Sequence, residues 1–105
     1  MDHKTRKLMD YLQVAIRHPD VSGFEIFEIL DIRSQLATRE PLLDEDAKRH
    51  LEEIDREILQ QADLWAARIS EVGNLKTMRQ RSHVLPSHWW WYLDKLSSPH
   101  ETATA

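Results

Sequence analysis

The stretch of residues 44–72 constrains the fold most strongly, because its apolar residues recur every three or four positions. This spacing is typical of one face of an α-helix, which turns once every 3.6 residues. Acidic residues at 44–46 would stabilise the positive end of such a helix, and Gly73-Asn74 is a typical stop signal. The sequence therefore predicts one helix of about 29 residues. Its apolar stripe comprises Ala47, Leu51, Ile54, Ile58, Ala62, Trp65, Ile69 and Val72.

The length of this predicted helix conflicts with the size of the chain. At a rise of 1.5 Å per residue the helix would span roughly 43 Å, whereas a compact chain of 105 residues has a diameter of about 33 Å. We therefore expect that the helix bends, or that a second copy or another partner covers its ends. Of these alternatives we favour a homodimer.

Two shorter helices are predicted before it. The first covers residues 4–17 and ends at His18-Pro19, because proline disfavours helical geometry in the preceding residue. The second covers residues 24–37 and begins with a capping box of Ser22 and Glu25, with Val21 and Ile26 as the accompanying hydrophobic staple. Apolar residues cover most of its circumference, so we expect it at the centre of the molecule, with neighbours on several sides.

Three of the four tryptophans lie in residues 85–96, where Ser87 is a good N-cap for a short helix ending near Leu96. At 100° per residue, one face carries Trp89, Tyr92, Leu93 and Leu96. Trp90 lies at the margin of that face and Trp91 on the opposite side. We predict that Trp89 packs in the core. Tryptophan is enriched in interface hot spots, so the predicted binding residues are Trp90, Trp91, Lys95 and Arg79.

The composition favours helices, since the chain has two glycines, four prolines and 41% hydrophobic residues. We predict an all-α fold, a small bundle of four to five helices, with one domain over residues 1–96 and a disordered tail over 97–105. No apolar run approaches the length of a membrane span, and the polar N-terminus lacks a signal peptide, so we expect a cytoplasmic protein. The net charge of −4 makes nucleic acid an unexpected partner, and no cofactor or metal site is predicted.

One short motif points to a different function. Arg81 and His88 are separated by six residues, and this spacing resembles the Arg-x(4–6)-His motif of the helical HEPN ribonuclease family. The resemblance implies that the arginine and histidine act on RNA phosphates, usually across a dimer. Arg81, His83 and His88 are therefore the candidate catalytic residues, although the sequence contains no glycine-rich phosphate loop, no Gly-x-Ser-x-Gly and no His-Glu-x-x-His.

Two functions remain open from the sequence. The favoured one is a non-enzymatic interaction or regulatory protein that binds a protein partner through its tryptophan-rich C-terminal helix. The alternative is a HEPN-like ribonuclease, or a small phosphate-directed hydrolase, that uses Arg81 and His88.

Overall fold

The computed structural model describes residues 2–17 and 22–96, which form α-helices joined by turns and two 3₁₀ helices. The six described α-helices are α1 (His3–Ala15), α2 (Gly23–Ala37), α3 (Glu45–Gln60), α4 (Ala62–Val72), α5 (Leu75–Ser82) and α6 (Leu93–Leu96). The 3₁₀ helices are Glu40–Leu42, before α3, and Trp89–Tyr92, which leads into α6. The all-α prediction is confirmed, with more helices than expected. Within the described residues no helix is long and apolar enough to cross a membrane.

Helix α2 lies at the centre, as its apolar circumference predicts. It packs against α1 on one side and against α4 and the Trp89–Tyr92 segment on others. Its start is also as predicted, since Ser22 Oγ accepts a hydrogen bond from the backbone N–H of Glu25 at 3.2 Å. The expected staple residue Val21, the stop at His18-Pro19 and the tail at 97–105 lie outside the described residues. The buried apolar residues of α2 are Ile26, Ile29, Leu30 and Leu36.

The prediction of a single helix of about 29 residues is wrong. The helix is interrupted at Gln61, whose backbone leaves helical geometry at φ −100° and ψ 8°. The Gln61 side chain stabilises the break, because its Nε2 donates to the Ile16 carbonyl at 2.7 Å and its Oε1 accepts from Trp65 Nε1 at 3.2 Å. Helix α3 then packs against α1, while α4 packs against α2 and α6. The overhang of an unbroken helix therefore no longer supports a homodimer.

The apolar stripe itself is correctly predicted up to Ile69. Seven of its members are buried, and Val72 at the end of α4 is 36% exposed. The two ends of the predicted helix also match, since Asp44 Oδ1 accepts from the Ala47 N–H at 2.8 Å at the start of α3 and α4 stops before Gly73. Local spacing therefore identified the buried face, and a tertiary contact decided where the helix breaks.

A close approach of two helices orients the start of α2. A Cβ atom on Gly23 would lie 2.5 Å from the Arg68 carbonyl oxygen and 2.5 Å from Val72 Cγ2. No residue other than glycine allows α2 to approach α4 at this distance without a shift of one helix. Phe24, the next residue, is 69% exposed.

Candidate functional site

The tryptophan segment adopts a different geometry from the one predicted. Trp89–Tyr92 is a 3₁₀ helix, in which residues three apart are aligned, so Trp89 and Tyr92 share a side. Trp90 is 3% exposed and Trp91 is 4% exposed, whereas Trp89 is only half-buried. The prediction that Trp91 faces solvent is therefore wrong, whereas Trp89 packs against the core as predicted but is only half-buried. One cause is that a wheel of 100° per residue does not apply to a 3₁₀ helix, and another is that both α2 and α5 contact this segment.

Both buried indoles are hydrogen-bonded to one hydroxyl group. Trp90 Nε1 and Trp91 Nε1 donate to Ser34 Oγ at 3.0 and 2.9 Å, and His88 Nδ1 lies 3.0 Å from the same oxygen. A serine hydroxyl has two acceptor lone pairs and one hydrogen to donate. Because the indoles occupy both lone pairs, the Ser34 hydrogen is donated to His88 Nδ1. We call these four residues the Ser34 hub.

This arrangement favours the neutral form of His88 with its proton on Nε2. Burial lowers the pKa of His88 below its ordinary value, and the positive charge of Arg33 lowers it further, while Glu40 acts in the opposite direction. A protonated imidazole would carry a hydrogen on Nδ1 and would lose the acceptor position that the Ser34 hydroxyl requires. The His88 ring also stacks on Trp90, with 4.6 Å between the ring centroids.

Arg33 lies beneath the Trp90 ring and is almost completely buried. Its side chain is 3% exposed, and its guanidinium carbon is 4.1 Å from the centre of the indole. Nε and Nη2 donate to the two carboxylate oxygens of Asp55 at 2.8 and 2.9 Å, and Nη2 is also 3.5 Å from Glu40. Nη1 is buried and has no hydrogen-bond partner among the described residues. Nε and Nη2 of this guanidinium are therefore hydrogen-bonded, whereas Nη1 is not.

A cavity of about 530 Å³ opens beside Arg33 and His88. Its volume lies within the range of roughly 300–1,000 Å³ that is usual for small-molecule sites. We call it the Arg33 cavity. It is lined by Arg33, Ala37, Thr38, Glu40, Asp55, Leu85, Ser87, His88, Trp89 and Trp90.

The other predicted binding residues have different surroundings. Arg79 is 8% exposed and donates to the Trp91 carbonyl at 2.8 Å and to Asp94 at 2.6 Å. Its guanidinium carbon also lies 4.5 Å from the centre of the Tyr92 ring. Lys95 is exposed. Trp90, Trp91 and Arg79 thus make internal contacts, and a binding role for the four predicted residues stays a prediction.

The candidate catalytic residues have separate surroundings. His88 belongs to the Ser34 hub, whereas Arg81 and His83 are exposed at the end of α5, where His83 adopts a left-handed conformation with φ 51°. Within residues 2–17 and 22–96, no hydrogen bond, ion pair or ring contact joins Arg81 or His83 to His88. Both lone pairs of the Ser34 hydroxyl oxygen accept hydrogen bonds from indole N–H groups. In this arrangement the oxygen has no free lone pair with which to attack a substrate.

A second cavity lies between α1 and α2. It measures about 690 Å³, and its lining is mostly apolar. We call it the α1–α2 groove. Val14 in its wall is 59% exposed and Tyr11 is 38% exposed. At its edge the Tyr11 hydroxyl donates to Glu28 Oε1 at 3.1 Å, and burial together with this carboxylate raises the pKa of Tyr11. The lining consists of Lys7, Asp10, Tyr11, Val14, Ala15, Glu25 and Ile29.

The sequence contained one usable signal for the Arg33 cavity. Arg33 lies outside the polar strip of α2 formed by Glu25, Glu28, Asp31 and Gln35. A cation on an apolar helix face needs a buried partner, and that requirement could have singled out Arg33. No comparable signal identified Asp55, which is 22 residues away, or Ser34.

No family model, curated protein or solved structure matches this chain. The functional interpretation therefore rests on the contacts and charges of the two cavities.

Proposed function

We propose that this protein is a protein-binding module and that its partner docks an amphipathic helix into the α1–α2 groove. The observation that supports this most directly is the apolar character of the groove, together with the exposure of Val14 and Tyr11 in its wall. Exposed apolar patches of this kind commonly mark interaction sites. Docking of an amphipathic helix into a groove between two helices is a recurring mode of recognition.

The lining of the groove favours a helix as its occupant. Ala15 of α1 and Ile29 of α2 both line it, and Val14 and Tyr11 add exposed apolar surface. An apolar stripe on a partner helix would cover these side chains continuously, because its residues at i, i+3, i+4 and i+7 lie along one face.

The charges at the edge of the groove indicate which kind of helix fits. Asp10 and Glu25 line it and Glu28 borders it through Tyr11, whereas Lys7 is the single base in its lining. This excess of carboxylates favours a partner helix that carries lysine or arginine beside its apolar stripe. Complementary charge of this kind mainly improves specificity and the association rate.

The proposal can be tested with two synthetic peptides that share one leucine stripe and differ only in their flanking residues. The peptide with lysine flanks should bind and should shift the amide NMR signals of groove residues. The peptide with glutamate flanks should bind at least about tenfold more weakly, a difference of roughly 1.4 kcal/mol. Equal binding of both peptides would contradict the assigned partner chemistry.

A pair of surface variants locates the binding surface. Val14→Asp should abolish binding of the lysine-flanked peptide, because it introduces a charge into the apolar wall. Leu59→Asp is the matched control, since Leu59 is 47% exposed on α3 and does not line the groove. Equal loss in both variants would argue against the groove. A doubling of the solution mass that Val14→Asp removes would instead identify a second copy of the chain as the occupant.

A further inference from the structure

We propose that the Ser34 hub is a proton-dependent latch, in which protonation of His88 frees an indole N–H from Ser34 and loosens the tryptophan segment, Trp89–Tyr92, from α2. None of the four hub residues lines the α1–α2 groove, so the latch does not depend on the proposed peptide site. Through this latch, the exposure of two buried tryptophans would respond to mild acid.

The first argument is the number of hydrogens that the Ser34 hydroxyl can accommodate. Its two lone pairs accept from Trp90 Nε1 at 3.0 Å and from Trp91 Nε1 at 2.9 Å, and its own hydrogen is donated to His88 Nδ1 at 3.0 Å. A protonated imidazole carries a hydrogen on each ring nitrogen. The ring must then turn away from Ser34, or it must take a lone pair that an indole occupies. Protonation of His88 therefore cannot leave all three hydrogen bonds in place.

The second argument is the position of His88 at the start of the tryptophan segment. Its carbonyl oxygen accepts from the Trp91 backbone N–H at 3.1 Å, and its ring stacks on Trp90. A movement of His88 is therefore transmitted to the backbone of the 3₁₀ helix and to one of the buried indoles. A buried N–H that loses its acceptor is unfavourable, so the freed indole would be driven toward water.

The other side of the segment limits how far it opens. Arg79 of α5 donates to the Trp91 carbonyl at 2.8 Å and to the Asp94 carboxylate at 2.6 Å. None of these groups belongs to the hub, and protonation of His88 removes none of these contacts. The segment should therefore separate from α2 at its His88 end and stay attached to α5.

The charges around His88 set the pH at which the latch opens. His88 is half-buried and lines the Arg33 cavity, together with Arg33 of α2, Glu40 of the first 3₁₀ helix and Asp55 of α3. Both oxygens of Asp55 are bonded to Arg33, at 2.8 and 2.9 Å. Burial and the charge of Arg33 lower the pKa of His88, while Glu40 acts in the opposite direction. The latch therefore stays closed near neutral pH and opens below about pH 6.5.

A pH titration followed by ¹⁵N NMR tests the latch in the unmodified protein. The imidazole nitrogens of His88 and the indole N–H signals of Trp90 and Trp91 are recorded from about pH 8 downward. At least one indole signal should move with the same midpoint as His88, and its protection against hydrogen exchange should fall at least about tenfold. The backbone amide signals of α1 should keep their positions. Indole signals that stay unchanged while His88 titrates would overturn the proposal.

Two further outcomes of the titration would also overturn it. If the amide signals of α1 change together with the indole signals, the transition is global unfolding and not a local opening. If His88 remains neutral until the whole chain unfolds, the hub does not respond to protons in the folded protein.

Two histidine variants assign the transition to His88. His88→Asn should abolish the movement of the indole signals, because an asparagine carbonyl can accept the Ser34 hydrogen and does not titrate. The control His83→Asn should retain the movement, since His83 is exposed and lies outside the hub. Persistence of the transition in His88→Asn would overturn the proposal by assigning it to another group. The direct titration of His88 in the unmodified protein decides the matter if His88→Asn does not fold.

Discussion

Large apolar side chains are buried in the Ser34 hub but exposed in the α1–α2 groove. In the hub, Trp90 and Trp91 are almost completely buried and each indole N–H has an acceptor in Ser34. In the groove, Val14 has no polar side-chain atom to satisfy and yet is 59% exposed, and Phe24 at the start of α2 is 69% exposed. Residue type alone therefore does not decide which apolar residues are covered. The position of the neighbouring helices decides it, and the side chains left uncovered are the better candidates for contacts with a partner.

The largest expected effect is on the free energy of unfolding, which should respond strongly to loss of a buried tryptophan and weakly to loss of an exposed phenylalanine. Trp91→Ala should lower the free energy of unfolding by about 3–5 kcal/mol, because it removes a buried indole and leaves a cavity. Phe24→Ala should change it by less than about 0.5 kcal/mol, as expected for an exposed position. Urea denaturation followed by circular dichroism measures both values.

The outcome for Trp91 also tests the geometry predicted from a helical wheel. A loss of less than about 1 kcal/mol in Trp91→Ala would mean that this side chain is exposed and available to a partner. Should Trp91→Ala not fold at all, Trp91→Phe keeps most of the volume and removes the N–H that Ser34 accepts. Trp91→Phe should still be destabilised, by roughly 1–3 kcal/mol.

An intermediate effect is expected when the hub loses its shared hydroxyl. Ser34→Ala leaves two indole N–H groups without their acceptor and removes the donor to His88, so the free energy of unfolding should fall by about 2–3 kcal/mol. Ser70→Ala is the control, because the Ser70 hydroxyl is exposed and donates only to the Ala67 carbonyl at 2.7 Å. A similar loss in both variants would show that the hub contributes no more than an ordinary surface hydroxyl.

The smallest expected effect is a dependence of stability on pH. The pKa of His88 is lowered in the folded protein by burial and by the charge of Arg33, so below about pH 6.5 the unfolded chain binds the proton more readily. The contribution of His88 to stability should therefore fall as the pH decreases from about 6.5 through its lowered folded pKa and should level off below it, with a slope of at most about 1.4 kcal/mol per pH unit. Above that range the imidazole is neutral in both the folded and the unfolded state, so it adds nothing to the pH dependence of stability.

Comparison of two histidine variants isolates this contribution. His88→Asn should remove part of the pH dependence below about pH 6.5. His83→Asn should retain it, since His83 is exposed and asparagine tolerates its left-handed backbone. An identical pH profile for His88→Asn and the unmodified protein would mean that His88 does not titrate differently in the folded state.

Much of the helical framework follows from local patterns. The cap at Ser22, the start of α3 after Asp44 and the stop before Gly73 occur where the sequence predicts them. The Arg33 cavity could not be predicted in the same way. It depends on contacts between Arg33 and Asp55, 22 residues apart, and between Ser34 and Trp91, 57 residues apart. No local period encodes such pairings.

The sequence by itself therefore determined that this chain is helical, which residues form most of the buried stripe of α3 and α4, and that α2 is central. These properties depend on the 3.6-residue period of the helix and on capping groups within a few residues. The tertiary structure decided the break at Gln61, where the side chain bonds to Ile16, and the burial of Trp91. Both depend on which distant polar group is available as a partner, because burying a donor without an acceptor costs free energy.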